Sequence, residues 1–238
     1  MNSIDMSKPR QEIEKAIEAG DLPLLLKMSG TLHGHYCPGL ATGVKAAVRA
    51  VKELGANSTG MEEIIAIVET NSCFSDGVQF ITGCSFGNNG LIYRDFGKTA
   101  LTLAKRNGEA VRVAAKPDAL SLERREPEAM ELFQKVVTKR QGTEADQVRL
   151  QGLWQQVALR VLDIPDDELF NVSRSTIQVP AYAHIFASVN CSICGESIME
   201  PRARIKDGKP VCISCSGQEY YQLAGDGMSL VHPDRAAA

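Results

Sequence analysis

Eleven side chains carry the chemistry that this sequence concentrates by spacing: seven cysteines and four histidines. The plainest arrangement is Cys191-x-x-Cys194 followed, after 17 intervening residues, by Cys212-x-x-Cys215. Four thiolates in paired elements suit zinc, because they fill a closed tetrahedron and leave no position for a substrate. A redox dithiol or an iron–sulfur cluster is the alternative use of the same four groups. Asp207-Gly208, between Arg202–Lys206 and Lys209–Cys212, predicts a hairpin that carries the second pair back to the first. A segment of about fifty residues has little core of its own, so bound zinc, worth on the order of 10–16 kcal/mol in small zinc peptides, would supply much of its folding free energy.

The second concentration is His33-Gly34-His35-Tyr36-Cys37-Pro38-Gly39. Pro38 suits the first position of a helix, which places Cys37 at the N-cap, where free N–H groups and the helix dipole favour a thiolate. If the approach to that helix is extended, His33, His35 and Cys37 share one side, because side chains alternate with period two. The histidines could then serve as a base or share a metal with the thiolate. Cys73 follows a predicted strand and precedes a helix, a loop position that commonly carries site residues, and Asp76 stands at the start of that helix. The candidate catalytic set is therefore Cys37, His33, Cys73 and Asp76, and the candidate core metal site is His35, Cys37 and Cys73, with His33 as base or further ligand. Zinc, nickel, copper and iron all accept such mixed imidazole–thiolate ligation. Cys84 beside Gly83 reads equally well as packing, Asp76 as a helix cap, and His184 and His232 as structural or surface residues. Gly97-Lys98-Thr99 is not a phosphate-binding loop, since Ile92 stands where the earlier glycine is required.

These residues must be held by a folded core. Helices are predicted over Pro9–Ala19, Pro38–Leu54 and Ser75–Thr82, the second with Leu40, Val44, Ala47, Val48 and Val51 on one face. Strands are predicted over Glu63–Glu69, Leu91–Asp95, Thr99–Lys105 and Glu109–Ala115, the last two turning at Asn107-Gly108. Pro127 to Leu162 reads as helix with a break near Gln141-Gly142-Thr143, and Phe170–Val179 returns to strand. Strands and helices mix without a regular strand-helix-strand repeat, which indicates an α+β domain over residues 1–187, with the four-cysteine module at 188–238 and a frayed tail at Ala236–Ala238.

The 238 residues include 26 Lys+Arg against 29 Asp+Glu, a net charge of −3, and the cysteine module has no basic stripe. That balance argues against nucleic acid as a partner. No apolar run approaches the roughly 18 residues that span a membrane, and the first residues lack a signal-peptide core, so a reducing, cytoplasmic setting is expected. The odd cysteine count fits free and metal-bound thiols better than a disulfide framework.

Taken together, HGHYCPGLATGVKAA, SCFSDGVQFITGCSFGNNGLIYRDFGKTAL and the paired Cys-x-x-Cys tail resemble the FmdE-like family of formylmethanofuran dehydrogenase proteins over about residues 20–215. The resemblance implies an α+β core bearing a treble-clef zinc finger, a homodimer, and an accessory place beside the subunits of a molybdenum or tungsten oxidoreductase that reduces carbon dioxide onto methanofuran. It marks His33, His35, Cys37 and Pro38, then Cys73, Asp76, Gln79, Gly83, Cys84, Gly87 and Gly97-Lys98, as characteristic positions. Where a common family pattern has Gly-Cys-Thr-x-Gly-Lys, this chain has Gly83-Cys84-Ser85-Phe86-Gly87-Asn88, without the lysine that could contact an anionic ligand. Two further readings follow from the residues themselves: a thiol-based redox enzyme using Cys37 with Cys73 or Cys84, and an interaction or regulatory protein that works through its zinc finger.

Overall fold

A computed structural model describes residues 7–56 and 60–232. The tail expected to fray, Ala236–Ala238, lies outside them. The chain divides into two compact units, Met1–Pro180 and Ala181–Ala238.

The first unit opens with three helices, α1 (Gln11–Ala19), α2 (Leu22–His33) and α3 (Pro38–Leu54). Left-handed glycines Gly20, Gly34 and Gly55 end all three, each supplying the positive φ that a residue with a Cβ adopts at a cost. Helix α2 has no counterpart among the predicted elements. Its start is an Asp21 cap whose carboxylate accepts the Leu24 N–H at 3.0 Å, with Pro23 in the first turn. The unit continues through β1 (Ile64–Val68), α4 (Cys73–Thr82), β2 (Leu91–Tyr93), β3 (Ala100–Lys105) and β4 (Glu109–Ala115). Next come α5 (Leu122–Arg125) and α6 (Pro127–Phe133), a π-helical turn at Gln134–Thr138, then α7 (Glu144–Asp163), α8 (Asp166–Leu169) and β5 (Phe170–Thr176). The break expected near residues 141–143 is real: Thr143 starts α7 through a reciprocal capping box with Asp146.

Five strands form one mixed sheet in the order β2-β1-β3-β4-β5. Within it β1 and β2 run parallel, whereas the others pair antiparallel, with β3 and β4 joined at Asn107-Gly108. Helix α3 is the centre of the hydrophobic core, with Leu40, Ala41, Val44, Ala46, Ala47 and Ala50 wholly buried among β3, β4, α4 and α7. Removing that apolar surface from water is the main stabilising term of the unit. Lys45, 4% exposed, satisfies its charge by donating to the Leu162 and Ile164 carbonyls at 2.8 and 2.5 Å, which ties α3 to the end of α7.

The approach of α3 to α4 is set by two glycines. A Cβ on Gly43 would lie 2.1 Å from the Phe74 carbonyl oxygen, and one on Gly77 would lie 2.7 Å from the Val44 nitrogen. The two helices thus cross in backbone contact, which no larger residue at either position permits. Arg10 closes the far end of α4 by donating to the Phe80 and Ile81 carbonyls at 3.1 and 2.6 Å.

The second unit is built from small hairpins: β6 (Ser188–Asn190) with β7 (Ser197–Met199), then β8 (Arg204–Lys206) with β9 (Lys209–Val211), the short helix α9 (Ile213–Ser216), and β10 (Tyr220–Ala224) with β11 (Gly227–Val231). The β8–β9 turn is the expected one, with Asp207 and Gly208 at φ of 51° and 71°. Its buried apolar cluster is small: Cys191, Ile198 and Val211.

Candidate metal centre

The starts of α3 and α4 meet at the glycine crossing, and that crossing brings Cys37 and Cys73 together. Cys37 is the N-cap of α3 in extended conformation (φ −151°, ψ 164°), and its Sγ accepts the Leu40 N–H at 3.4 Å. Cys73 is the first residue of α4, with Ser72 as its cap, rather than part of the preceding loop as predicted. Ser75 and Asp76, the expected caps, lie inside the helix instead, and Ser75 turns its hydroxyl back to the Thr70 carbonyl at 2.6 Å.

The histidines arrive from the other side. His33 is the last residue of α2, so the extended approach expected from residue 33 is a helix end followed by the left-handed turn at Gly34 (φ 85°). The convergence survives by a different route. Tyr36 packs its ring on Gly30 of α2, where a Cβ would sit 2.4 Å away, and alternation along the chain puts His35 and Cys37 on the other side of the backbone from Tyr36, beside His33 at the helix end. The His33 and His35 rings lie 4.3 Å apart, and the ligating atoms of His33, His35, Cys37 and Cys73 all fall within 4.8 Å of one another. Cys37 is buried, Cys73 and His33 are partly covered, and His35 is exposed, so the cluster opens to solvent on the His35 side.

Asp76, one turn into α4, accepts from His33 Nδ1 at 2.7 Å, and Gln79 Nε2 donates to the other Asp76 oxygen at 3.2 Å. A carboxylate on one ring nitrogen fixes the tautomer and leaves Nε2 unprotonated, its lone pair free to accept a hydrogen bond or ligate a metal, here 3.8 Å from Cys37 Sγ. Asp76 therefore stands behind the histidine and not among the atoms that face the thiols. Gln79 carried no signal of its own in the residue chemistry; its three-residue spacing from Asp76 on a helix is what could have revealed the contact.

The pairing of Cys37 with Cys73 lowers the Cys73 thiol to about 5, with His33 and His35 assisting; the same pairing, together with burial, pushes Cys37 up. The helix-start effect expected to ionise Cys37 is present, since the Leu40 and Gly39 N–H groups both lower it, but the pairing with Cys73 outweighs it. Cys84 joins neither cluster. It is 1% exposed, its Sγ directed to the Ile64 carbonyl at 3.7 Å, and burial raises its pKa.

In the second unit the thiols of Cys191, Cys194, Cys212 and Cys215 likewise lie within 4.8 Å of one another. Cys191 sits in the β6–β7 turn and Cys212 caps α9. Backbone N–H groups aim at the sulfurs: Cys212 N–H to Cys191 Sγ and Cys215 N–H to Cys212 Sγ, both 3.3 Å. Such N–H donors favour the thiolate, and Cys191 falls to about 6, first through the Cys194 N–H. His184 and His232 belong to neither cluster.

An α+β domain that gathers imidazoles and thiols at two helix starts, followed by a four-thiol finger, defines a protein with two separate sets of metal-ligating side chains. Residues 32–171 match the FmdE family (molybdenum formylmethanofuran dehydrogenase operon), and the chain belongs to that family. Residues 184–221 match the prokaryotic dksA/traR C4-type zinc finger. A relative from Archaeoglobus fulgidus, described as a "Probable S-adenosyl-L-methionine-binding protein", is 40% identical over 220 residues, which cover 90% of this chain. The chain spans 58% of that relative's length. The crystal structure of a tungsten formylmethanofuran dehydrogenase FmdE-like protein from Syntrophus aciditrophicus shares the fold, with a TM-score of 0.53 at 22% identity over 82% of this chain and 92% of its own.

Proposed function

We propose that the chain is an accessory metal-binding protein of a formylmethanofuran dehydrogenase-type system, with zinc in the C-terminal finger and a second transition metal in the core cluster. The observation that carries this reading is the four-atom convergence of His33, His35, Cys37 and Cys73 within 4.8 Å, with His33 aimed by Asp76. The donor set fits such an ion. Ligand atoms around tetrahedral zinc stand roughly 3.4–3.8 Å apart, and His33 Nε2 and Cys37 Sγ are 3.8 Å apart. Two nitrogens and two sulfurs suit zinc and its softer first-row neighbours over magnesium or calcium. When bound, the ion would supply a Lewis acid beside the solvent-facing His35. The chain's own part is to orient His33 through Asp76, to keep Cys37 buried, and to deliver Cys73 with its thiol already lowered. A homodimer, contact with the other proteins of an oxidoreductase complex and a cytoplasmic setting belong to the same reading. Among the described residues no helix is long and apolar enough to cross a membrane.

Metal analysis of the whole purified chain tests it. Wild type should hold one ion per cluster, and Cys37→Ser or Cys73→Ser should lose one while the finger keeps its own. One ion per chain in wild type, unaltered by either substitution, would overturn the core metal.

A second reading, binding of S-adenosyl-L-methionine, is favoured by the name of the Archaeoglobus fulgidus relative and by a cavity of about 310 Å³ beside the thiols, lined by Gly39, Ser72 and Phe74 among others. That volume lies at the lower end of small-molecule sites, roughly 300–1,000 Å³. Equilibrium dialysis with S-adenosyl-L-methionine should give saturable binding; a linear, unsaturable uptake would dismiss this reading.

A further inference from the structure

The cavity beside the thiols has walls of contrasting character. One is made by the two helix starts: Gly39 and Thr42 from α3, Ser72 and Phe74 from either side of Cys73. Gly39 is its thinnest place, since a Cβ there would stand 3.1 Å from Cys73 Cβ and 3.9 Å from Cys37 Sγ. The other is the segment from Ala115 to Glu123, whose Ala119, Leu120 and Leu122 give an apolar surface. Two residues of that segment, Asp118 and Ser121, hold left-handed backbone at φ of 54° and 44° without being glycine. Non-glycine residues in this region cost free energy and persist where the surroundings impose them, often at ligand sites.

The charges on the lining are unequal. Asp118 and Glu123 are both exposed at its edge, whereas the lining cation, Lys116, already donates to the Asp167 carbonyl at 2.5 Å. Arg124 holds Ser121 Oγ at 3.2 Å from outside the lining. Hydroxyls of Thr42, Ser72, Thr99 and Ser121 complete the polar part. A phosphate or carboxylate entering this space would meet the two carboxylates of the lining against its one ammonium, whose bond to a neutral carbonyl leaves its charge in place, with the Arg124 guanidinium behind Ser121. An apolar ring with hydroxyl or amino donors would meet leucines and acceptors.

We infer that this cavity binds a nucleoside-like ligand, an apolar ring carrying hydroxyl and amino donors, and that Asp118 and Glu123 select a neutral or cationic form over an anionic one. The inference deepens the small-ligand reading above and rests on it.

A charge series on one scaffold tests it with the full-length, metal-loaded chain: 5′-amino-5′-deoxyadenosine, adenosine and adenosine 5′-monophosphate, each titrated calorimetrically. The amine should bind about tenfold or more tightly than the phosphate, with adenosine between them, as two rim carboxylates acting on a charge reversal would give. Asp118→Asn with Glu123→Gln should flatten the series. Asparagine tolerates left-handed backbone, so this pair removes charge without new strain, and an unchanged thermal melting temperature checks that the fold is intact. Equal or tighter phosphate binding, a series that the double variant leaves unchanged, or no binding of any of the three would each overturn the assignment. Saturable S-adenosyl-L-methionine binding combined with any of those outcomes would sink this cavity and its selectivity alone; loss of both would remove the small-ligand reading as well.

Discussion

The two metal-ligating clusters invert the relation between fold and site. In the core, four side chains are delivered by elements that a large hydrophobic interior already holds, and by the short turn between two of them: the end of α2, His35 in the α2–α3 connection, the cap of α3 and the first turn of α4. In the finger, four thiols are delivered by three-residue strands and a four-residue helix around only Cys191, Ile198 and Val211. Strands and helices of that length do not hold themselves in water. The core makes its site, whereas the finger is made by its site. The donor sets follow the same division. Four thiolates close a tetrahedron around a structural ion, whereas mixed imidazole and thiolate with one exposed histidine leaves an approach from solvent.

Metal removal is where this contrast should show most. Cys212→Ser should abolish protection of the finger from proteolysis, since metal binding, worth on the order of 10–16 kcal/mol in small zinc peptides, would supply its folding free energy. The core unit should keep its urea midpoint, read through Trp154, the chain's single tryptophan, which lies in the core cluster. A core that melts together with the finger would break the comparison.

Gly43→Ala should do the reverse. Its Cβ would meet the Phe74 carbonyl, so α3 and α4 must part, at a cost of about 3 kcal/mol to the core. The thiols of Cys37 and Cys73 separate with the helices, and the core should lose its metal while the finger retains its own. Metal counting with a chromophoric chelator, alongside the Trp154 urea curve, checks both halves.

Asp76→Asn is milder. It leaves the helix in place but withdraws the carboxylate that fixes His33, so core metal affinity should fall about 10–100-fold with little change in stability. Competition titration against a chelator of known affinity measures it. An unchanged affinity would mean that Asp76 orients no ligand and that His33 is a bystander.

Much of this arrangement could be read from residue order, and the failures have particular causes. Pro38 after Cys37 and the apolar face from Leu40 to Val51 placed the α3 cap, because a proline at the first helical position and a 3.6-residue period are local signals. Asn107-Gly108 and Asp207-Gly208 placed two hairpins for the same reason. Helix α2 escaped because LPLLLKMSGTLH has apolar side chains around much of its circumference and Ser29, Gly30 and Thr31 inside it, so neither periodicity nor propensity marks it. The crossing of Gly43 and Gly77 is a contact between distant segments, and nothing near either glycine announces it. Which thiol ionises more readily depends on the pairing of Cys37 with Cys73, and that too exists only after folding.

The smallest expected effect concerns how acid separates the two units. Glu69 follows β1 and leads into the connection that delivers Cys73; it is 6% exposed and receives Arg112 Nε and Nη2 at 2.8 Å each. The hydrogen bonds from Arg112 hold its carboxyl below the ordinary range. Because the folded pKa is depressed, the pair's contribution is complete above the unfolded glutamate value of about 4.3 and is lost as pH falls through the folded one. Glu69→Gln should therefore lower core stability by about 1 kcal/mol near neutrality, and the gap to wild type should close on acidification below the carboxylate range. Urea midpoints by Trp154 fluorescence across that range test the sign; a gap that stays constant would mean that packing rather than charge is lost. The finger should already have let go of its metal at higher pH, since its ligands must be thiolates. Acid would then strip the finger, whose ion makes its fold, before it loosens the ion pair that steadies the core.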